Sequence, residues 1–180
     1  MKTKKRFLAV LLAAVLLTMG LTGCKDALRG LAQKITGSDS EVQEEDTTRW
    51  AESTDQPLII QGIVDPSAKF DSAMVDGSLY AVFNGIWSRQ TVYFAAPTGT
   101  LNFTACGTAE GPQKFKIALW KKVDGGLEYV ADSTYYVKTD GTNYAYTLTG
   151  LDPAAIYRIT VSYDSSRYYL YGLLKVEGVG

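Results

Sequence analysis

From Leu58 to Gly180 apolar and polar residues alternate with a period of two, in short runs broken by Gly, Asp and Asn. In "LNFTA", Leu101, Phe103 and Ala105 share a face. In "KFKIALWKK", Phe115, Ile117 and Leu119 share one face, while Lys114, Lys116, Trp120 and Lys122 share the other. "YAYTL" aligns Tyr144, Tyr146 and Leu148, and "YRITVSY" sets Tyr157, Ile159, Val161 and Tyr163 opposite Arg158, Thr160 and Ser162. Asn84-Gly85, Asp124-Gly125-Gly126 and Asp140-Gly141 suit hairpin turns. This pattern predicts about nine strands. No amphipathic helix of ordinary length interrupts them, although "DSAMVDGSLYAVF" fits a helix or a strand. Strands buried on one face need a second sheet to cover them. The predicted fold is therefore all-β, an antiparallel β-sandwich over residues 58–180.

The first 57 residues have a different texture. Lys2, Lys4, Lys5 and Arg6 form a basic head, and Phe7 to Met19 is apolar except for Thr18. Small residues follow. This order predicts a secretory signal peptide over residues 1–23. The run is short for a bilayer span, which needs about 20 apolar residues. Residues 24–57 read as a tether. The stretch "GSDSEVQEEDTTRWAESTDQP" is polar, acidic and too poor in apolar residues to offset its ordering entropy. As a flexible coil, the tether has a root-mean-square span of roughly 30 Å. Trp50 interrupts it and docks either on the domain or at a membrane interface. Before the acidic stretch, Leu28, Leu31 and Ile35 recur at helical spacing, as a surface-lying stripe or as a frayed linker end.

The four residues that end the leader, Leu21-Thr22-Gly23-Cys24, resemble the lipobox of bacterial lipoproteins. That resemblance implies a diacylglyceryl group on the Cys24 sulfur, cleavage before Cys24 and acylation, palmitate included, at the new amino terminus. Two acyl chains give stable anchoring where one gives only marginal binding. The implied location is the extracytoplasmic face of a cell membrane, with the membrane itself as partner through the lipid anchor.

Composition narrows the chemistry. Without the four positive charges of the leader, 14 Lys and Arg stand against 19 Asp and Glu, a net charge of −5. No basic surplus exists to hold nucleic acid. Beyond Cys24 the one cysteine is Cys106, so no disulfide forms within the mature chain. The chain has no histidine, which removes the usual general base and the usual zinc ligand. No catalytic residue, metal or cofactor is expected. Asp65, Asp71 and Asp76 match no calcium-loop spacing, and Asp132 and Asp140 read as turn formers, with calcium between the sandwich loops as the alternative.

Two resemblances bear on the fold. Leu151-Asp152-Pro153-Ala154-Ala155-Ile156-Tyr157 resembles the L-x-P-x-x-x-Y corner of fibronectin type III domains. It implies that the tyrosine hydroxyl caps the turn. The pattern "TVYFAAPTGTLNFTA", "KIALWKK" and "YRITVSY…YYLYGLLKVEG" over residues 90–178 is similar to bacterial pre-peptidase C-terminal and related jelly-roll domains. Neither family carries catalytic residues over. If the inward phases are right, Trp120, Tyr136, Tyr169 and Tyr171 face outward. Flat aromatics beside polar groups stack on sugar rings or dock protein partners. These four are the candidate ligand-binding residues. The expected function is a surface-anchored, non-catalytic binding module, with glycans as the first class of ligand. The alternative is an assembly lipoprotein that binds another envelope protein; a carboxylate-based hydrolase ranks last.

Overall fold

A computed structural model describes residues 49–60 and 62–180. The leader, the lipobox with Cys24 and the tether up to residue 48 lie outside the described residues.

Among the described residues, thirteen strands form two packed sheets. In chain order they are β1 (Arg49–Trp50), β2 (Glu52–Ser53), β3 (Phe70–Val75), β4 (Ser78–Ile86), β5 (Ser88–Gln90), β6 (Phe94–Ala95), β7 (Leu101–Thr108), β8 (Lys114–Val123), β9 (Gly126–Tyr129), β10 (Tyr135–Lys138), β11 (Asp140–Leu148), β12 (Ile156–Ser162) and β13 (Leu170–Glu177). The first sheet runs β1-β10-β8-β12-β5, with β6 paired to β12 and β9 paired to β8. The second runs β2-β11-β7-β13-β4-β3. The quartets β10-β8-β12-β5 and β11-β7-β13-β4 have the strand order of a jelly roll, in which most connections after β4 cross between sheets. The all-β sandwich read from alternation is the observed fold. The strand count exceeds the expected nine because β1, β2, β5 and β6 are two or three residues long and too short to alternate.

The alternating residues form the core. Phe83, Phe103, Phe115, Leu79, Leu101, Ile117, Leu119, Ile159 and Leu174 are fully buried between the sheets. Each such side chain contributes roughly 1.5–3 kcal/mol relative to exposure. Tyr135, Tyr146 and Phe103 stack in a column, with ring centroids 3.9 Å and 4.3 Å apart. The Tyr146 hydroxyl is buried without a hydrogen-bond partner, and burial pushes its pKa far above the ordinary phenol value.

Three local expectations change. "DSAMVDGSLYAVF" is the β3–β4 hairpin, turned at Asp76 (φ 48°) and Gly77 (φ 71°), the left-handed pair that a tight hairpin needs. Asn84-Gly85 is not a turn. It lies inside β4, where Gly85 is the extra residue of a bulge opposite Leu170 and Tyr171. Asp140-Gly141 opens β11 at a register shift, just after the chain crosses from one sheet to the other. Asp124-Gly125 does turn the β8–β9 hairpin.

Among the described residues, strand pairing is present from Arg49 onward, upstream of residue 58. Trp50 pairs in parallel with Tyr136, and Glu52 pairs with Ala145 in the other sheet. Ala51, between them, is buried, so five residues of acidic context bridge both sheets. Backbone pairing and one small apolar side chain outweigh the polar composition here. The Trp50 ring rests 5.7 Å from that of Tyr136, so it packs on the domain while about half of it stays exposed.

The corner motif folds as its resemblance implies. The Tyr157 hydroxyl accepts from the Asp152 N–H (2.8 Å) and donates to the Asp152 carbonyl (3.1 Å). It holds the turn that enters β12. The aspartates also act as turn formers. Asp65 accepts from the Ser67 N–H and hydroxyl, Asp71 accepts from the Asp65 N–H, and Asp140 accepts from the Thr142 N–H. Among the described residues no cluster of three or more acidic, cysteine or histidine side chains could hold a metal ion.

Candidate functional site

The four aromatic candidates stand in three places. Trp120 lies in the outward phase of β8, opposite Arg158 on β12 and Tyr129 on β9. Those neighbours cover it, and it is only 6 % exposed. Tyr129 meets it edge to face at 5.5 Å. Its indole N–H has no hydrogen-bond partner. Trp120 therefore presents no open ring face. Tyr136 lies on the same outer face beside Trp50, with the Lys114 Nζ 4.4 Å from its ring centroid.

Tyr169 and Tyr171 come together at one end of the sandwich, where they line a cleft of about 430 Å³. Both are exposed, at 41 % and 48 %. The opposite wall is the strand end and loop after β7, with Thr108, Ala109 and Glu110; Arg167 and Tyr168 complete the lining. That volume lies in the range of small-ligand pockets.

Local chemistry builds this end. The Ser165 hydroxyl accepts from the Arg167 and Tyr168 N–H groups and so turns the loop before β13. The Trp87 indole N–H donates to the Tyr168 carbonyl at 2.9 Å. The Trp87 ring stacks on Tyr169, centroids 5.0 Å apart and planes within 14°. Tyr169 is thus backed by a second ring and held in orientation. The Arg167 guanidinium lies 5.3 Å from the Tyr168 ring centroid. Beneath, Gly111 allows the two loops to close: a Cβ there would come within 2.5 Å of the Tyr168 ring and 2.7 Å of the Tyr163 hydroxyl. Tyr163 is buried, which pushes its pKa up.

The arrangement supplies two exposed ring faces, a carboxylate and a guanidinium around one concavity. Rings stack on the C–H faces of a ligand, and Glu110 and Arg167 accept from and donate to its hydroxyl groups. It offers no histidine and no nucleophile–base pair. Sequence phase placed Tyr169 and Tyr171 outward, as they are, but gave no hint of Trp87, Glu110, Arg167 and Tyr168 beside them, which lie in loops where alternation says nothing. The run Arg167-Tyr168-Tyr169 was the available signal.

A second concavity, about 950 Å³, runs along β2 over the outer face of the second sheet. Its lining includes Glu52, Gln56, Asn102, Thr104, Thr147 and Glu177. Thr147 donates to Asn102 at 2.8 Å, so part of its polar lining is satisfied internally.

No protein-family model matches the chain, and no curated protein matches it. Among solved structures it is similar to one titled "CBM4 structure and function", at a TM-score of 0.35 and 16% identity, covering 67% of this chain and 79% of that one.

Proposed function

We propose that this chain is a membrane-anchored, extracytoplasmic binding module that holds a glycan in the end cleft between Glu110 and Tyr171. The observation that carries the reading is the exposed pair Tyr169 and Tyr171, with Tyr169 stacked on Trp87 and the charged side chains of Glu110 and Arg167 on the same cleft. Preformed aromatic faces beside planar hydrogen-bonding groups suit a pyranose, which is apolar on its faces and polar at its edge. The anchor is the acylated Cys24 that the lipobox implies, and the acidic tether joins it to the domain.

The test is a panel of soluble oligosaccharides titrated against the full chain. Binding to a member of the panel is expected, with Tyr169→Ala and Tyr171→Ala each weakening it about tenfold while the melting temperature stays put. Trp120→Phe leaves affinity unchanged, because that ring is covered. A parent chain that binds nothing on the panel, or tyrosine variants that bind as the parent does, would overturn the assignment. Mass spectrometry of the native product checks the anchor separately, by the presence of a lipid-modified Cys24 at its amino terminus.

A further inference from the structure

The two outer faces of the sandwich carry different charge. On the first sheet, strand register puts Lys114, Lys116 and Lys122 of β8, Lys138 of β10 and Arg158 of β12 in the outward phase. No aspartate or glutamate of β1, β5, β8, β9, β10 or β12 shares that phase. The second sheet's outer face has Lys175, tied to Glu177 at 2.7 Å, together with Glu52 and Asp71. A chain of net negative charge has thus gathered cations on one face.

Those cations alternate with exposed apolar groups. Lys114 sits 4.4 Å from the Tyr136 ring centroid and 5.9 Å from that of Trp50. At the other end of β8, Lys122 lies 5.4 Å and Arg158 4.8 Å from the Tyr93 ring centroid. Trp50, Tyr93 and Ile156 are each at least 40 % exposed. At about 3.3 Å per residue, Lys114 and Lys122 stand roughly 26 Å apart along β8. Charges spread so widely cannot converge on one phosphate. They match a surface that repeats its phosphates in two dimensions.

We infer that the outer face of the first sheet is a contact face for an anionic phospholipid bilayer. Lys114, Lys122, Lys138 and Arg158 meet headgroup phosphates, and Trp50, Tyr93 and Ile156 enter the headgroup layer between them. Lys and Arg attract anionic leaflets, and Trp and Tyr favour the interface because one part of the ring is apolar and the other wet. This contact is independent of the glycan cleft, and it adds an orientation to the anchor: the domain lies with this face down.

The test is lysine acetylation by a water-soluble reagent on the full chain, read residue by residue by mass spectrometry. It is run without vesicles, with phosphatidylcholine vesicles, and with vesicles of equal phosphatidylcholine and phosphatidylglycerol. Acetylation of Lys114, Lys122 and Lys138 is expected to slow several-fold with the anionic vesicles alone, relative to Lys69, whose carbonyl accepts from the Asn84 N–H of β4 in the second sheet, and high salt should restore it. The triple variant K114E/K122E/K138E, provided its melting temperature matches the parent, should lose the difference between the two vesicle types in co-sedimentation. Equal labelling on both faces with anionic vesicles would overturn the inference. So would slowing by soluble polygalacturonate but not by vesicles, which points to an acidic polymer. Slowing without any vesicle, abolished when Asp39, Glu41, Glu44, Glu45 and Asp46 are replaced by their amides, would instead assign the face to the chain's own acidic segment.

Discussion

Strand β12 has a tyrosine at its start, and Tyr169 and Tyr171 come after that strand; the two places use the residue in opposite ways. At its start, Tyr157 is 2 % exposed and its hydroxyl bonds twice to the backbone of Asp152. Ring and hydroxyl both serve the fold. Past its other end, Tyr163 is buried, but Tyr169 and Tyr171 leave ring faces to solvent around the cleft. The difference is what surrounds each ring. A tyrosine whose hydroxyl finds a backbone partner and whose ring finds a core is structural, however suggestive its type. Tyr169, backed by Trp87, and Tyr171, at the start of β13, keep their faces open because no neighbouring strand covers them. Trp120 makes the same point on a sheet face: outward by phase, it is closed over by Tyr129 and Arg158.

That contrast can be broken in three ways, in order of expected effect. Tyr157→Phe removes both bonds at the corner and leaves the Asp152 N–H without its partner, while the Asp152 carbonyl keeps the Ala155 N–H at 3.1 Å. A loss of about 1–3 kcal/mol in unfolding free energy is expected by denaturant titration, with oligosaccharide affinity unchanged. A corner variant as stable as the parent would make Tyr157 ornamental.

At the other end, Gly111→Ala places a methyl where the Tyr168 ring now lies. The partly buried Tyr168 ring yields more readily than the buried Tyr163. Stability should fall by only about 1 kcal/mol, while affinity for the oligosaccharide falls more than in Trp120→Phe. An unchanged affinity would show that the cleft tolerates movement of Tyr168 and that its walls do not define the ligand.

The smallest effect concerns acid. Asp140, which pairs in register with the cleft residue Thr108, accepts from the Thr142 N–H and the Tyr144 hydroxyl. Those bonds hold its carboxyl below the ordinary carboxylate value. A lowered folded-state pKa means that its stabilisation is present above the unfolded value, about 3.9, and disappears as pH falls through the folded one. The melting temperature should drop slightly less between neutral and acid pH in Asp140→Asn than in the parent. Identical acid profiles would remove Asp140 from the account.

Much of this architecture was legible in one dimension. Period-two alternation put Leu101, Phe103, Phe115, Ile117, Ile159 and Val161 on inward faces, and all are buried. The Leu-Pro-Tyr corner was legible because its motif is local: five residues separate the hydroxyl from the backbone it caps. Asn84-Gly85 misled because a left-handed glycine serves a bulge as well as a turn, and only the partner strand distinguishes them. The strands at 49–53 were hidden because their pairing partners lie more than 80 residues away, in β10 and β11.

By itself, then, the chain's own order of residues determined the fold class, the inward faces and the corner, since each depends on periodicity or on contacts between near neighbours. Tertiary structure alone decided which outward aromatics stay open, that Trp87 backs Tyr169, and that the cations collect on one sheet. Those properties depend on which strands become neighbours, and strand order is set by the packing of the whole core, not by any single segment.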